Sequence, residues 1–256
     1  MLTPRNEFKR RLLAGDVLHG LWMSLASAPA AEGLSLLGYD WLLIDTEHSA
    51  VEIASVQPLL QAASVGTAAL VVRPAWNDKI LLKRVLDIGA QTVLVPFIQS
   101  PQEAAAAVAA TRYPPEGIRG VAGSTRASRF GQATDYFKAA NQEICVLVQI
   151  ETREALDQLE TIAAVDGVDG VFIGPSDLAA SLGHLGNPAH PDVQVILQQA
   201  AQRIIVCGKA PGILATNAKD ARRYLGWGYR FVAGAVDMGI LMQGAKTVLA
   251  DMKVEI

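Results

Sequence analysis

Cysteine is scarce in this chain of 256 residues, and so are charge and long apolar runs. The two cysteines, Cys145 and Cys207, build no disulfide framework and lack the paired spacing of a structural zinc site. Only 18% of residues are charged and the formal net charge is −3, so no concentrated basic surface exists for a phosphate backbone. Lys and Arg are scattered, and their densest group, Arg112 to Arg129, is broken by prolines and glycines. No segment approaches the roughly 20 consecutive apolar residues of a membrane-spanning helix. The N-terminus, MLTPRNEFKRRLLAGD, has no apolar core of a secretory signal. Neither nucleic acid nor a membrane is expected as a partner, and the chain reads as cytoplasmic. A GxGxxG turn is missing too, which weighs against a doubly wound nucleotide-binding sheet, the runner-up architecture.

What the chain does have is apolar substance: 51% of its residues are hydrophobic, enough for a large buried core. Eight short apolar runs recur in order, bounded by Gly, Pro or polar residues. They are His19 to Leu25, Asp40 to Asp45, Ala68 to Pro74, Thr92 to Ile98, Ile144 to Glu151, Gly170 to Pro175, Ala210 to Thr216 and Tyr229 to Val236. Continuous apolar runs suit parallel strands covered on both faces. Between them lie helical patterns: Ala-rich Pro101 to Arg112, the 3.6-residue stripe of Thr152 to Ala164, and similar stripes over Asp192 to Val206 and Gly239 to Met252. Eight alternations at this length predict one α/β domain over residues 1–256, a single (β/α)8 TIM barrel. One connection stands out. The stretch from Arg112 to Tyr136 is long and rich in turn residues, as functional loops are.

Chemistry in such barrels gathers at the C-terminal strand ends, and polar residues fall there. The second run ends in Asp45, followed by Glu47 and His48; the third ends in Arg73. The fifth carries Gln149 and Glu151, two residues apart and so on one side of a strand. The sixth runs into Gly174, Pro175, Ser176 and Asp177. His48 has the residue type of a general base at neutral pH, or is a surface histidine. Asp45 either orients it or caps the next segment. Glu151 and Asp177 are a carboxylate pair suited to a hard divalent ion, or first-turn helix charges. Arg73 is placed to grip a carboxylate or oxyanion, or to bridge the rim. Trp22 and Leu214 wall a pocket or simply pack in the core.

WLLIDTEHS, VVRP, LDIGAQTVLVP, TRYPPEGIRG, VLVQIET and GVDGVFIGPSDL, in this order, resemble the class II pyruvate aldolases of the HpcH/HpaI family, from about Leu12 to the end of the eighth strand. Within that family the likeness is to 4-hydroxy-2-oxoheptanedioate, 2-keto-3-deoxy sugar-acid and hydroxyketoacid aldolases. The resemblance implies reversible cleavage of a 4-hydroxy-2-oxo acid to pyruvate and an aldehyde through a metal-stabilised enolate. It places His48 as catalytic base, with Asp45 beside it and Asp87 raising its basicity. Arg73 would hold pyruvate and stabilise the enolate; Glu151 and Asp177 would bind Mg²⁺, Mn²⁺ or Co²⁺. Gln149, Gly174, Pro175, Ser176 and Asp177 would contact substrate, and Trp22 and Leu214 would shape room for the aldehyde. No Schiff-base lysine is needed, Lys209 lying at the wrong end of the barrel. The resemblance also implies a homo-oligomer, a hexamer with its last helices exchanged between subunits and the Arg-rich loop near an interface, working in aromatic-compound or sugar-acid catabolism. The competing readings are a lyase acting on a CoA thioester, of the citrate lyase β-subunit or malyl-CoA lyase type, and a barrel that binds without catalysis.

Overall fold

The computed structural model describes residues 1–253. All eight apolar runs form strands: β1 (Leu18–Met23), β2 (Trp41–Asp45), β3 (Ala69–Arg73), β4 (Thr92–Val95), β5 (Cys145–Ile150), β6 (Gly170–Ile173), β7 (Ala210–Leu214) and β8 (Phe231–Val236). They pair in parallel, in chain order, and β8 returns to β1 to close the barrel. Around them run α1 (Glu7–Leu13), α2 (Ala28–Ser35), α3 (Ile53–Ala63), α4 (Lys79–Asp87), α5 (Pro101–Thr111) and α6 (Tyr136–Glu143). The series continues with α7 (Arg153–Asp157), α8 (Leu159–Ala163), α9 (Pro175–Ser181), α10 (Pro191–Val206), α11 (Ala218–Gly226) and α12 (Asp237–Met252). The single (β/α)8 barrel expected from the sequence is therefore the fold. No helix among the described residues is long and apolar enough to cross a membrane.

Two details differ from the sequence reading. The stripe of Thr152 to Ala164 breaks at Gln158 into α7 and α8, and the Gln158 side-chain amide donates to the Gln99 carbonyl at 3.0 Å. Strand β4 stops at Val95 rather than Ile98, because Pro96 has no N–H for the ladder and Phe97 turns into the left-handed region at φ 52°.

Side chains of a strand alternate between faces, and here the alternation separates two apolar layers. Val72, Val93, Val146, Val148, Val171 and Ile173 face outward and pack under the helices. Trp41, Leu43, Val71, Leu147, Phe172 and Phe231 face inward and fill the barrel with Cys145, which is fully buried as its apolar run implied. Two inward positions must be glycine for the large rings to fit. A Cβ on Gly20 would lie 2.1 Å from the Trp41 ring, and one on Gly212 would lie 2.2 Å from Phe231.

Helix α1 closes the N-terminal end of the barrel. Asn6 caps it by accepting from the Lys9 N–H, and Phe8 drops edge-on against Trp41 and Phe231 at ring separations of 6.0 and 6.1 Å. Lys209 sits at this same end, just before β7, its ammonium 2.6 Å from the Val168 carbonyl and remote from any strand C-terminus. The long loop before α6 is pinned here as well. Arg119, fully buried, stacks over the Tyr113 ring at 4.4 Å and donates to Asp87 at 2.7 Å.

Truncating Phe8 to alanine removes the inner wall of this seal. The expected cost is about 3 kcal/mol or more, a drop in Tm of roughly 6–12 °C with native far-UV circular dichroism retained. A thermal melt unchanged from the parent chain would show that α1 is not a seal.

Candidate active site

The inward stripe changes character as it reaches the C-terminal strand ends. On β2 it runs Trp41, Leu43, Asp45; on β3 it runs Ala69, Val71, Arg73; on β5 it runs Cys145, Leu147, Gln149 and then Glu151 just beyond the strand. The same alternation that fills the core therefore lifts polar groups into the mouth.

Arg73 and Asp45, both buried, form a two-point fork: Nε donates to Oδ1 at 2.8 Å and Nη2 to Oδ2 at 2.6 Å. The indole of Trp22 supports both, its Nε1 donating to Asp45 at 3.0 Å and its ring lying 4.7 Å beneath the guanidinium carbon. Burial alone would raise the Asp45 carboxyl, but the hydrogen bonds and charge of Arg73 outweigh it, with Trp22 and the Glu47 N–H adding, and its pKa is lowered. Asp45 is thus a permanent anion committed to Arg73. Its link to His48 is through the backbone, where it accepts the His48 N–H at 3.5 Å; its carboxylate is not on the imidazole.

Glu47, to which the sequence reading gave no role, is the carboxylate nearest that imidazole, 3.9 Å from Nε2. Its other oxygen lies 2.7 Å from Arg73 Nη1, a contact of charges not aligned as a hydrogen bond. Burial pushes the Glu47 pKa up to about 7 against the pull of Arg73, with Asp45 and Asp177 adding to the rise. The signal for Glu47 was its place between Asp45 and His48 at one strand end. The His48 side chain itself is 67% exposed, open to a small molecule in the mouth.

Across the barrel, Glu151 is buried and held from two sides. Gln149 Nε2 donates to Oε2 at 2.6 Å, confirming that these residues share a face, and the Phe97 N–H donates to Oε1 at 2.9 Å. That second bond accounts for the left-handed turn at Phe97, whose ring stacks on exposed Trp76 at 5.3 Å. Neither aromatic was singled out in the sequence; the Pro-Phe step that ends β4 was the available signal. Gly174 makes the remaining room, since a Cβ there would lie 2.5 Å from Glu151 Oε2 and 3.2 Å from Gln149 Nε2. It caps α9, whose first turn holds Pro175, Ser176 and Asp177, the last two exposed to the mouth. Leu214, half-buried, ends β7 and packs with the inner layer.

Burial raises the Glu151 pKa to about 7, the Gln149 hydrogen bond opposing, and the nearby Asp177 and Glu47 charges raise it further. Glu151 and Asp177, near enough for the charge of one to act on the other, are the oxygen donors a hard divalent cation takes. The buried Gln149 Oε1, which has no hydrogen-bond partner, is one more unspent acceptor beside them. The residues fit such an ion.

Asp87 is the one expected site residue that the structure sets apart. It ends α4, the helix that returns from the mouth, and so lies at the opposite end of the barrel from His48, paired with Arg119.

A parallel barrel that collects arginine, histidine and clustered carboxylates at its C-terminal mouth has the build of a TIM-barrel enzyme. The HpcH/HpaI aldolase/citrate lyase family model matches residues 18–244, and the chain belongs to that family. It is 52% identical over 250 residues, covering 98% of both chains, to a pyruvate aldolase of Rhizobium etli. To a 4-hydroxy-2-oxo-heptane-1,7-dioate aldolase of Klebsiella pneumoniae it is 53% identical over 246 residues, 96% of this chain and 93% of that one. Its fold is similar to the crystal structure of an HpcH/HpaI aldolase/citrate lyase family protein from Burkholderia cenocepacia, with a TM-score of 0.94 and 41% identity over 97% of this chain and all of the other. The chain is a carbon–carbon lyase of the aldolase type.

The raised carboxyls have a consequence for stability. An acid whose folded pKa lies above its unfolded value costs stability once pH exceeds the unfolded value, and the cost grows until pH passes the folded value. For Glu151 that window runs from 4.5 to about 7. Replacing it by glutamine should therefore stabilise the metal-free protein at pH 8 by about 1–3 kcal/mol and by much less at pH 5. Urea melts of both forms at the two pH values, in EDTA, measure this; an equal effect at both would contradict it.

Proposed function

We propose that Arg73, His48 and the Glu151–Asp177 pair carry out the reversible aldol cleavage of a 4-hydroxy-2-oxo acid to pyruvate and an aldehyde. The observation that carries this reading is their convergence on one mouth, with a fixed cation, an exposed imidazole, and Glu151 seated in the room that Gly174 leaves, its charge felt with that of Asp177. The full-length relatives named pyruvate aldolase and 4-hydroxy-2-oxo-heptane-1,7-dioate aldolase support it over action on a CoA thioester.

Glu151 and Asp177 would hold the divalent ion, Mg²⁺, Mn²⁺ or Co²⁺, which supplies Lewis-acid stabilisation of the oxyanion. The free N–H groups of the first turn of α9, at Ser176 and Asp177, receive the substrate carboxylate. Arg73, locked by its fork to Asp45, presents its remaining N–H groups to the C2 oxygen and opposes the charge that develops there. In cleavage, His48 takes the proton of the 4-hydroxyl. The C3–C4 bond breaks, its electron pair passes to the C2 carbonyl as an enolate, and the aldehyde leaves. Protonation of C3 then gives pyruvate. In synthesis, His48 takes a methyl proton of pyruvate instead. Trp22 forms the floor, Leu214 a side wall, and Gln149 holds Glu151 while offering Oε1 to the site.

The assembly belongs to the same proposal. Helix α12 exposes Ile240, Leu241, Met242, Val248, Leu249 and Met252 to solvent, a row that a second copy of this chain would cover. The family resemblance supports a hexamer. Asp87 and His48 lie at opposite ends of one barrel, so Asp87 acts on His48 only from a neighbouring copy.

Deuterium exchange into the pyruvate methyl group, followed by proton NMR in D₂O with no aldehyde present, tests the chemistry. Exchange should require Mg²⁺, stop with EDTA, and fall by about 100-fold or more in His48→Ala. Metal-independent exchange, or full exchange in the variant, would remove the roles given to those residues. Light scattering on a size-exclusion column should return a mass several times that of one chain; a monomer at micromolar concentration would refute the assembly.

A further inference from the structure

We propose that the connection between α9 and α10 holds a second divalent-metal site, one that takes imidazole-seeking transition ions such as Zn²⁺, Ni²⁺ or Cu²⁺ in preference to Mg²⁺. Two of the four histidines of the chain meet there with a carboxylate. His184 Nε2 lies 3.8 Å from Asp192 Oδ2, and His190 Nδ1 lies 3.7 Å from the same oxygen. One ligand atom from each of the three residues falls within 4.8 Å of the others. Ligands about 2.1 Å from a common ion stand roughly 3.0–3.4 Å apart, so side-chain rotations that draw these atoms together by up to about 1.5 Å complete the set.

The backbone brings the residues together before any ion arrives. Gly183 and Gly186, both in the left-handed region at φ 85° and 75°, reverse the chain after α9. The His184 N–H donates to the Ala179 carbonyl, the Asn187 N–H to that of His184, and the His190 N–H to that of Asn187. His190 and Asp192 are then fixed by the start of α10. The two imidazole rings stack 3.7 Å apart with 15° between their planes. An ion lies in the plane of each imidazole that binds it, so one of the two rings must turn out of the stack for both to reach one ion.

The bland alternative is a helix cap: His190 Nδ1 accepts the Asp192 N–H at 3.3 Å. That bond is long, needs only one histidine, and leaves His184 and the Asp192 carboxylate unexplained. All three side chains are at least a quarter exposed, so an ion has a route in and water can fill its open positions. Two imidazoles and one carboxylate discriminate by softness in favour of late first-row ions. The carboxylates at the barrel mouth suit harder ions, so the chain offers two sites of different chemistry.

Isothermal titration with Zn²⁺ or Ni²⁺, performed on the protein saturated with Mg²⁺, is the test. One equivalent per chain should bind in Glu151→Gln, where the mouth has lost a ligand, and the same binding phase should be present in the parent protein beside any exchange at the mouth. Affinity should fall by about tenfold or more in His184→Ala and in His190→Asn, the latter retaining a helix-capping side chain. In parallel, Ni²⁺ should broaden the imidazole proton signals of His184 and His190 while leaving His19 sharp. Unchanged binding in both histidine variants would overturn the proposal, as would broadening confined to His48.

Discussion

Two charges held on adjacent strands set the terms for everything above them. Asp45 and Arg73 stand opposite one another in the β2–β3 register, and each would be costly to bury alone. Their two-point pairing, with Trp22 beneath, lets a guanidinium sit inside the barrel wall in one orientation. Removing either partner leaves an uncompensated buried charge, a loss of about 3–5 kcal/mol. Glu47 then meets a guanidinium that cannot swing away, while Asp177 and Glu151 stand near enough to add their charges to the same mouth. The pKa values of Glu47 and Glu151 near 7 report the cost of keeping so many carboxylates in one partly dry place.

The barrel divides labour along its axis. Its N-terminal end is a packed plug of Phe8, Trp41 and Phe231, with glycine wherever a Cβ would collide with a ring. Its C-terminal end carries the polar side chains. One alternating stripe per strand runs through both, so a two-residue step along β2 passes from Leu43, wholly buried and apolar, to Asp45.

Much of this was legible in the sequence, for a physical reason. Strands covered on both faces read as unbroken apolar runs, and each of the eight was placed within a few residues. The polar residues that interrupt the ends of those runs, Asp45, Arg73 and Gln149, had no core function to perform and so marked the mouth. What the sequence could not convey was pairing in space. Asp45 was set beside His48 by chain proximity, yet its carboxylate turns to a residue 28 positions away. Glu47 was overlooked for the same reason, since its importance lies in a contact with Arg73. The turn at Phe97 is a response to a carboxylate 54 residues later, which no local pattern encodes. Asp87 shows the converse: a motif placed it in the site, and the helix that carries it ends at the other face of the barrel.

Trp22 belongs to both halves. Its ring meets Phe172 in the interior at 5.7 Å and carries Arg73 at 4.7 Å. An indole that is at once the roof of a hydrophobic plug and the support of the guanidinium at the mouth fixes how deep that mouth can be. Replacing it by a smaller residue to deepen the mouth would open the plug to water and release the guanidinium together. Change in the shape of the mouth is therefore confined to lateral and upward variation, in the loops of the rim, while its depth stays the same.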